Sequence, residues 1–524
     1  CAPCLFNLFE KEICIMNFVD AMSNSECSTN WGKTENGAVA RTTTSSSLLD
    51  LFAVVGAMRS RSEDDIISMF RAAYAEDKML ATKLLFYARN CRGGCGERRT
   101  FRVILRWMAN NHSSIVKKNL DNIVFFGRWD DLYTLVATPC EKDMWNLVRA
   151  QWLEDVANFQ QKKPISIMAK WLKSVNTSSE ESRALGRKTA RELGLSEKEY
   201  RQSLSKFRNY LNVCERRMSK KEWEKIVYSE VPSYAMKRYR KAFAKNDKER
   251  FTDYKMSLEK KMEDGTISSK DIKSTVMYPM DIVKAYLNRQ MRSSYFGYGT
   301  IGSTDTILEA QWKTLPNYVE GENNILVMAD VSGSMTINNM EPMSASIGLA
   351  TYFAERNHGI YKNKYMSFSS DPSFIELNST WNLATKINAV MKTEVGYSTN
   401  LERAFMAILN TARINKVAPE DMPKALIVIS DMEIDSYCRG YGLDFLSEMN
   451  QRFVTVGYEP MRVVFWNVQA RNSTYHAKAT NPYAKFVSGF SASSFKDILM
   501  TLDEKPYESM VKILNSEMYD RVII

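Results

Sequence analysis

The sequence predicts an all-helical first half followed by an α/β half built on a doubly wound, mostly parallel sheet. Three observations point there. Between about residues 45 and 300, apolar residues recur at helical spacing, with short connections and no strand-like runs. From about residue 321, apolar runs of strand length alternate with helical stretches, as in sheets joined by crossover helices. The first of these runs, Ile325 to Ala329, leads straight into Asp330 and an oxygen-rich turn, at the strand end where open α/β sheets place ligands.

The helical half opens with Ser47 ahead of Leu48, Leu51, Phe52 and Val55, one apolar stripe. Ser62 with Asp65 resembles a capping box before Ile66, Met69, Phe70 and Ala73. Further amphipathic segments run over Lys78–Asn90, Thr100–Ala109, Asp143–Ala157, Ser178–Leu193, Ser196–Leu211, Lys220–Val227 and Tyr234–Ala244. Stacked helical pairs of the HEAT type suit this pattern, although no strict repeat period is visible. The chain therefore divides into an N-terminal extension (1–44, with Met16 a candidate true start), a helical repeat module (45–320) and an α/β domain (321–524).

Five strands are expected in the second half: Ile325–Ala329, Lys364–Phe368, Ala425–Ile429, Arg462–Asn467 and Phe486–Val487. Asp330, Ser332 and Ser334 alternate along a turn in which Gly333 permits a sharp bend, so their oxygens can face one point. Thr399, in a loop before the helical pattern of Leu401, Phe405, Ile408 and Leu409, and Asp431, directly after the Ala425–Ile429 run, can join them. Carboxylates and hydroxyls are hard ligands suited to Mg²⁺ or Mn²⁺. The same residues would also serve as helix caps.

Charge is unevenly spread. Residues 321–524 hold 19 Lys+Arg and 22 Asp+Glu, a net of −3, so a chain of net +10 places +13 in residues 1–320. That asymmetry suits an anionic partner for the first half, or Lys-rich helix faces that are simply solvated. Three clusters contribute. Arg92, Arg98, Arg99, Arg102 and Arg106 flank the Gly93-Gly94-Cys95-Gly96 turn, which fits an inter-helix turn as well as a phosphate site. Arg216, Arg217 and Lys220 form the second; Lys237, Arg238 and Arg240, interleaved with Tyr234 and Tyr239, form the third.

Nine cysteines, an odd and scattered set, suit reduced thiols and a cytoplasmic setting better than a disulfide framework. Zinc at Cys1/Cys4 or Cys91/Cys95 is disfavoured, because His112, His358 and His476 lie far from both pairs. No apolar run reaches membrane-spanning length, so no membrane partner is expected. The N-terminus, interrupted by Glu10, Lys11 and Glu12, does not read as a signal peptide.

Together the D-x-S-x-S turn, Thr399 and Asp431 resemble the metal-ion-dependent adhesion site of the von Willebrand factor A fold. A basic helical module ahead of such a domain resembles the Ro ribonucleoprotein family, whose helical part is called the TROVE module. A closer likeness is to uncharacterised relatives in plants, fungi, large DNA viruses and phages, known as a domain of unknown function. It is carried by Thr34–Ala38, Leu48–Phe52, Gly93–Arg98, Phe126–Leu132, Val231–Ser233 with Ala235-Met236, Val463–Ala470 and Ser488–Ser491. The resemblance implies a ring-forming, RNA-binding helical module and assigns Asp330, Ser332, Ser334, Thr399 and Asp431 to the metal.

The expected function is thus a Ro-type, non-enzymatic scaffold holding structured or single-stranded RNA. Its metal would recruit a protein ligand through an acidic residue. A protein-assembly adaptor without a nucleic-acid role is the alternative. A metal-dependent hydrolase would need a base; only Glu433, Asp435 and Glu341 stand near the motif in sequence, and no His does.

Overall fold

The computed structural model describes residues 30–293, 304–321, 324–368, 372–392, 399–435 and 445–524. The expectations placed on Cys1, Cys4 and Met16 lie outside them.

The chain enters as a small antiparallel hairpin, β1 (Trp31–Lys33) with β2 (Val39–Arg41). Helices then follow to residue 313. Their starts obey local chemistry: the hydroxyls of Ser46, Ser62 and Ser196 accept from backbone N–H groups three residues on, and Glu199 completes a capping box with Ser196. One expected helix is not formed. Over Lys220–Val227 the chain turns at Lys221 (φ 59°) and makes only a short 3₁₀ turn, Trp223–Lys225, while the helix lies just upstream at Cys214–Ser219. Trp223, Ile226 and Val227 recur at helical spacing here, but only Ile226 is buried and Val227 is exposed, so the stretch mimics a helical stripe without being one.

Six strands form the sheet: β3 (Ile325–Asp330), β4 (Lys364–Phe368), β5 (Phe374–Glu376), β6 (Ala425–Ser430), β7 (Arg462–Asn467) and β8 (Ala484–Ser488). Their order is β5-β4-β3-β6-β7-β8, with all neighbours parallel except the edge strand β5. This is a doubly wound order whose direction reverses between β3 and β6. Both strands are buried on both faces, as a sheet covered by helices requires.

Successive residues of these strands feed two different cores. Leu326, Met328, Leu426, Val428, Val463 and Phe465 join a core continuous with the helices from Leu48 to Phe207. Ile325, Val327, Ile427, Ile429, Val464 and Trp466 face the helices Ile337–Arg356 and Pro279–Ser293. A separate core around Phe243, Phe251 and Leu258 lies in the helical half. The helical half therefore starts on one face of the sheet and returns to the other. An early and a late segment of it also touch, the Tyr278 hydroxyl donating to the Cys95 carbonyl at 3.5 Å.

Candidate functional site

The switch point places Asp330 and Asp431 side by side at the carboxyl ends of β3 and β6. Asp330 is fully buried and Asp431 nearly so. The Ser430 hydroxyl touches both acids, donating to Asp330 Oδ2 at 2.6 Å and lying 3.5 Å from Asp431 Oδ1. The remaining Asp330 oxygen accepts from the Ser332 N–H at 2.9 Å, which closes the turn. Along that turn the Ser332 and Ser334 hydroxyls stand 3.1 Å apart. Beyond Ser334 the chain passes through three left-handed residues, Asn338, Asn339 and Met340; the regular helix begins only after them.

Burial, together with the negative charge of Asp431, pushes the Asp330 carboxyl up to about 7. Glu433 is also raised, chiefly by burial. Thr399 is buried against the same segment: its hydroxyl donates to the Glu433 carbonyl at 3.0 Å, and its own carbonyl accepts from the Asp435 N–H. Two acids sharing one hydroxyl, with further hydroxyls in the adjoining turn, form a donor set that fits a small hard cation. Among the described residues no group of three or more His, Cys, Asp or Glu side chains gathers for a metal. An ion here would rest on two carboxylates and hydroxyls alone. Residues 396–398 of the loop before Thr399 lie outside the described residues.

Several neighbours had no signal in the motif. Arg471, in the loop after β7, reaches Asp431 Oδ2 at 2.7 Å and Glu35 at 3.2 Å. The N-terminal hairpin docks beside it. The Glu35 N–H donates to Glu433 Oε2 at 2.6 Å, Thr34 donates to the Ile434 carbonyl, and Asn472 bridges Glu35 and Glu433. A histidine distant in sequence also stands close to this segment. His476 Nε2 lies 3.1 Å from the Met432 carbonyl, and burial pushes the imidazole down to about 4. With Nε2 on that carbonyl and Nδ1 sealed without a partner, it is a poor base.

The basic clusters divide. Arg102 pairs with Asp130 and Asp131, Arg217 with Glu222, Lys237 with Asp281 and Arg240 with Asp305. Arg92 donates to the Phe125 carbonyl, and Arg99 to the carbonyls of Arg59 and Arg61. Arg98, Arg216, Lys220 and Arg238 make no side-chain hydrogen bond or ion pair among the described residues. The glycine turn is an inter-helix turn and presents no phosphate cradle. Every N–H from Arg92 to Glu97 is spent on Tyr87, Ala88 or Asn90.

A family described as a domain of unknown function, DUF2828, matches residues 34–188 and 151–324, together more than half of the chain. The chain belongs to this DUF2828 family. A second domain of unknown function, DUF7788, matches residues 324–520 of this DUF2828 member, the sheet-bearing part. An uncharacterized protein of Acanthamoeba polyphaga mimivirus is 28% identical to it, over 94% of this chain and 88% of its own length. Among solved structures, the Deinococcus radiodurans Ro protein aligns over 89% of this chain and 92% of its own, at 13% identity and a TM-score of 0.36. Proximal thread matrix protein 1 of the mussel byssus aligns over 36% of this chain and 48% of its own, at 10% identity and a TM-score of 0.25. Both scores are too low to bear on function. No helix among the described residues is long and apolar enough to cross a membrane.

Proposed function

We propose that this chain is a non-enzymatic, Ro-type RNA-binding scaffold. Its basic helical half holds structured or single-stranded RNA. Its α/β half, read as a von Willebrand factor A domain, holds Mg²⁺ (or Mn²⁺) at Asp330, Ser332, Ser334, Thr399 and Asp431. The observation that carries the metal reading is the pairing of Asp330 with Asp431 through one Ser430 hydroxyl, at the reversal of strand order. Bound there, the ion supplies a coordination point that an acidic group on a protein ligand can complete. The +13 charge of residues 1–320 supports the RNA reading, because phosphate neutralisation dominates such binding.

Two measurements test it. Mg²⁺ should raise the melting temperature of the full chain, and Ser334→Ala and Asp330→Asn should each abolish that rise. Filter binding to a structured RNA should weaken steeply with salt. No affinity above that of a neutral control protein would end the RNA reading; a Mg²⁺ response unchanged in both variants would end the metal reading.

The protein-assembly adaptor is favoured by one observation: Arg102, Arg217, Lys237 and Arg240 are spent on internal acids. Pull-downs with EDTA and with nuclease separate the two. Partners lost to EDTA but kept after nuclease, from a chain with no RNA affinity in the filter assay, support the adaptor.

A further inference from the structure

A cavity of about 650 Å³ opens in the helical half, lined by Arg201, Lys206, Arg208 and Arg216 together with Ser174, Asn176, Gln202 and Ser205. Its lining holds four cationic side chains and no carboxylate. The helix Glu197–Tyr210 supplies Arg201, Ser205 and Arg208 from a single face, at i, i+4 and i+7.

Arg208 is fixed in place. Its guanidinium donates to the Ala169 carbonyl, the Leu172 carbonyl and the Ser174 hydroxyl, each at 2.8 Å. All three acceptors are neutral, so no acid balances the charge. Burial pushes this guanidinium below its ordinary value, and only the tyrosines Tyr200 and Tyr133 oppose that shift. Arg216 Nε is buried without a partner. Arg201, Lys206, Asn176 and Gln202 make no side-chain hydrogen bond or ion pair among the described residues. A cluster of like charges that is partly desolvated and uncompensated costs stability unless a ligand supplies the counter-charge.

We infer that this cavity is a binding site for clustered phosphate groups. The volume suits a ligand of small-molecule size, and guanidinium forks match phosphate geometry. No aromatic ring lines it, so it offers phosphate contacts without a surface for stacking bases. The same chemistry is presented by a free polyphosphate and by consecutive phosphodiesters of an RNA strand. The site stands apart from the switch point and does not depend on the RNA reading.

The full chain is titrated with inorganic tripolyphosphate by calorimetry and with labelled oligouridine by fluorescence anisotropy. Arg201→Glu and Arg216→Gln are the variants, and Lys362→Glu in the α/β half controls for net charge. Arg201 is exposed, so its replacement leaves packing intact. Tripolyphosphate affinity is expected to fall about tenfold or more in both variants and to hold in the control. Loss confined to tripolyphosphate identifies a small phosphorylated ligand, and parallel loss of oligouridine identifies the RNA backbone. If tripolyphosphate binds and the variants lose it while oligouridine does not bind, the cavity stands and the single-stranded-RNA reading falls. If neither probe binds, or the variants bind both as the unmodified chain does, the inference is overturned.

Discussion

Asp330 and Asp431 repel each other across a shared Ser430 hydroxyl, and among the described residues the cation reaching this pair is Arg471 on Asp431. Arg471 and a divalent ion would therefore compete for the same carboxylate. Removing one partner of a buried ion pair costs about 3–5 kcal/mol. Because Arg471 is about a quarter exposed, roughly 2 kcal/mol is the fitting figure. Arg471→Ala is expected to lower the metal-free unfolding free energy by about that amount in denaturant with EDTA. It should also enlarge the stabilisation by Mg²⁺, since the competitor is gone. An equal Mg²⁺ response in both proteins would show that Arg471 and the ion do not share Asp431. The motif acids were legible in the sequence because each follows its own apolar strand. Arg471 lies 40 residues beyond Asp431 and Glu35 nearly 400 before Glu433. No local pattern marks residues that only the tertiary fold brings together.

Whole elements were read well where their chemistry is local. The runs at Ile325, Ala425 and Arg462 are buried strands, and Ser62 is a cap. The hairpin β1–β2 was missed because strands of three residues carry little periodicity. It is held from outside, with Gly37 bridging to Asp435 and Arg41 to Tyr475. The helix expected over Lys220–Val227 is absent because Trp223, Ile226 and Val227 recur at helical spacing in a stretch that turns at Lys221 and makes only a 3₁₀ turn. The glycine turn left two readings open, and its backbone decides between them. A Cβ at Gly94 would stand 2.2 Å from the Tyr87 carbonyl oxygen, an immovable backbone atom. Gly96 combines φ +63° with a Cβ position 1.8 Å from the Tyr278 hydroxyl. Gly94→Ala is expected to destabilise the chain by roughly 3 kcal/mol through overpacking and backbone displacement. Denaturant unfolding, or loss of soluble expression, reads this out. A change within about 0.5 kcal/mol would mean that the turn is free to move.

Across the whole molecule, the change in chain texture near residue 321 does not separate the cores. Helix Ser47–Phe52 and the C-terminal helix Pro506–Leu514 share one core at the β8 end of the sheet. Gly56 donates its N–H to the Ser488 hydroxyl, and Arg61 donates to the Ala470 and Asn472 carbonyls. On the other face Pro279–Ser293 lies so close to Ile337–Arg356 that a Cβ at Gly348 would stand 2.9 Å from the Met280 nitrogen. Without the helical half, Phe486, Met510, Leu514, Tyr519 and Val522 would lose apolar cover they share with it. At about 1.5–3 kcal/mol per large side chain, that is on the order of 10 kcal/mol. A whole domain is stable by only about 5–15 kcal/mol. The full chain is therefore expected to melt in one calorimetric transition, and fragment 321–524 made alone to remain unfolded or aggregate. Two resolved transitions, or a fragment with native near-ultraviolet circular dichroism, would mean that the sheet closes its own core. In that case Arg471 and the hairpin could respond to an ion without involving the helices. If the single transition is found instead, occupancy at the switch point is felt by the helical half through the core both share.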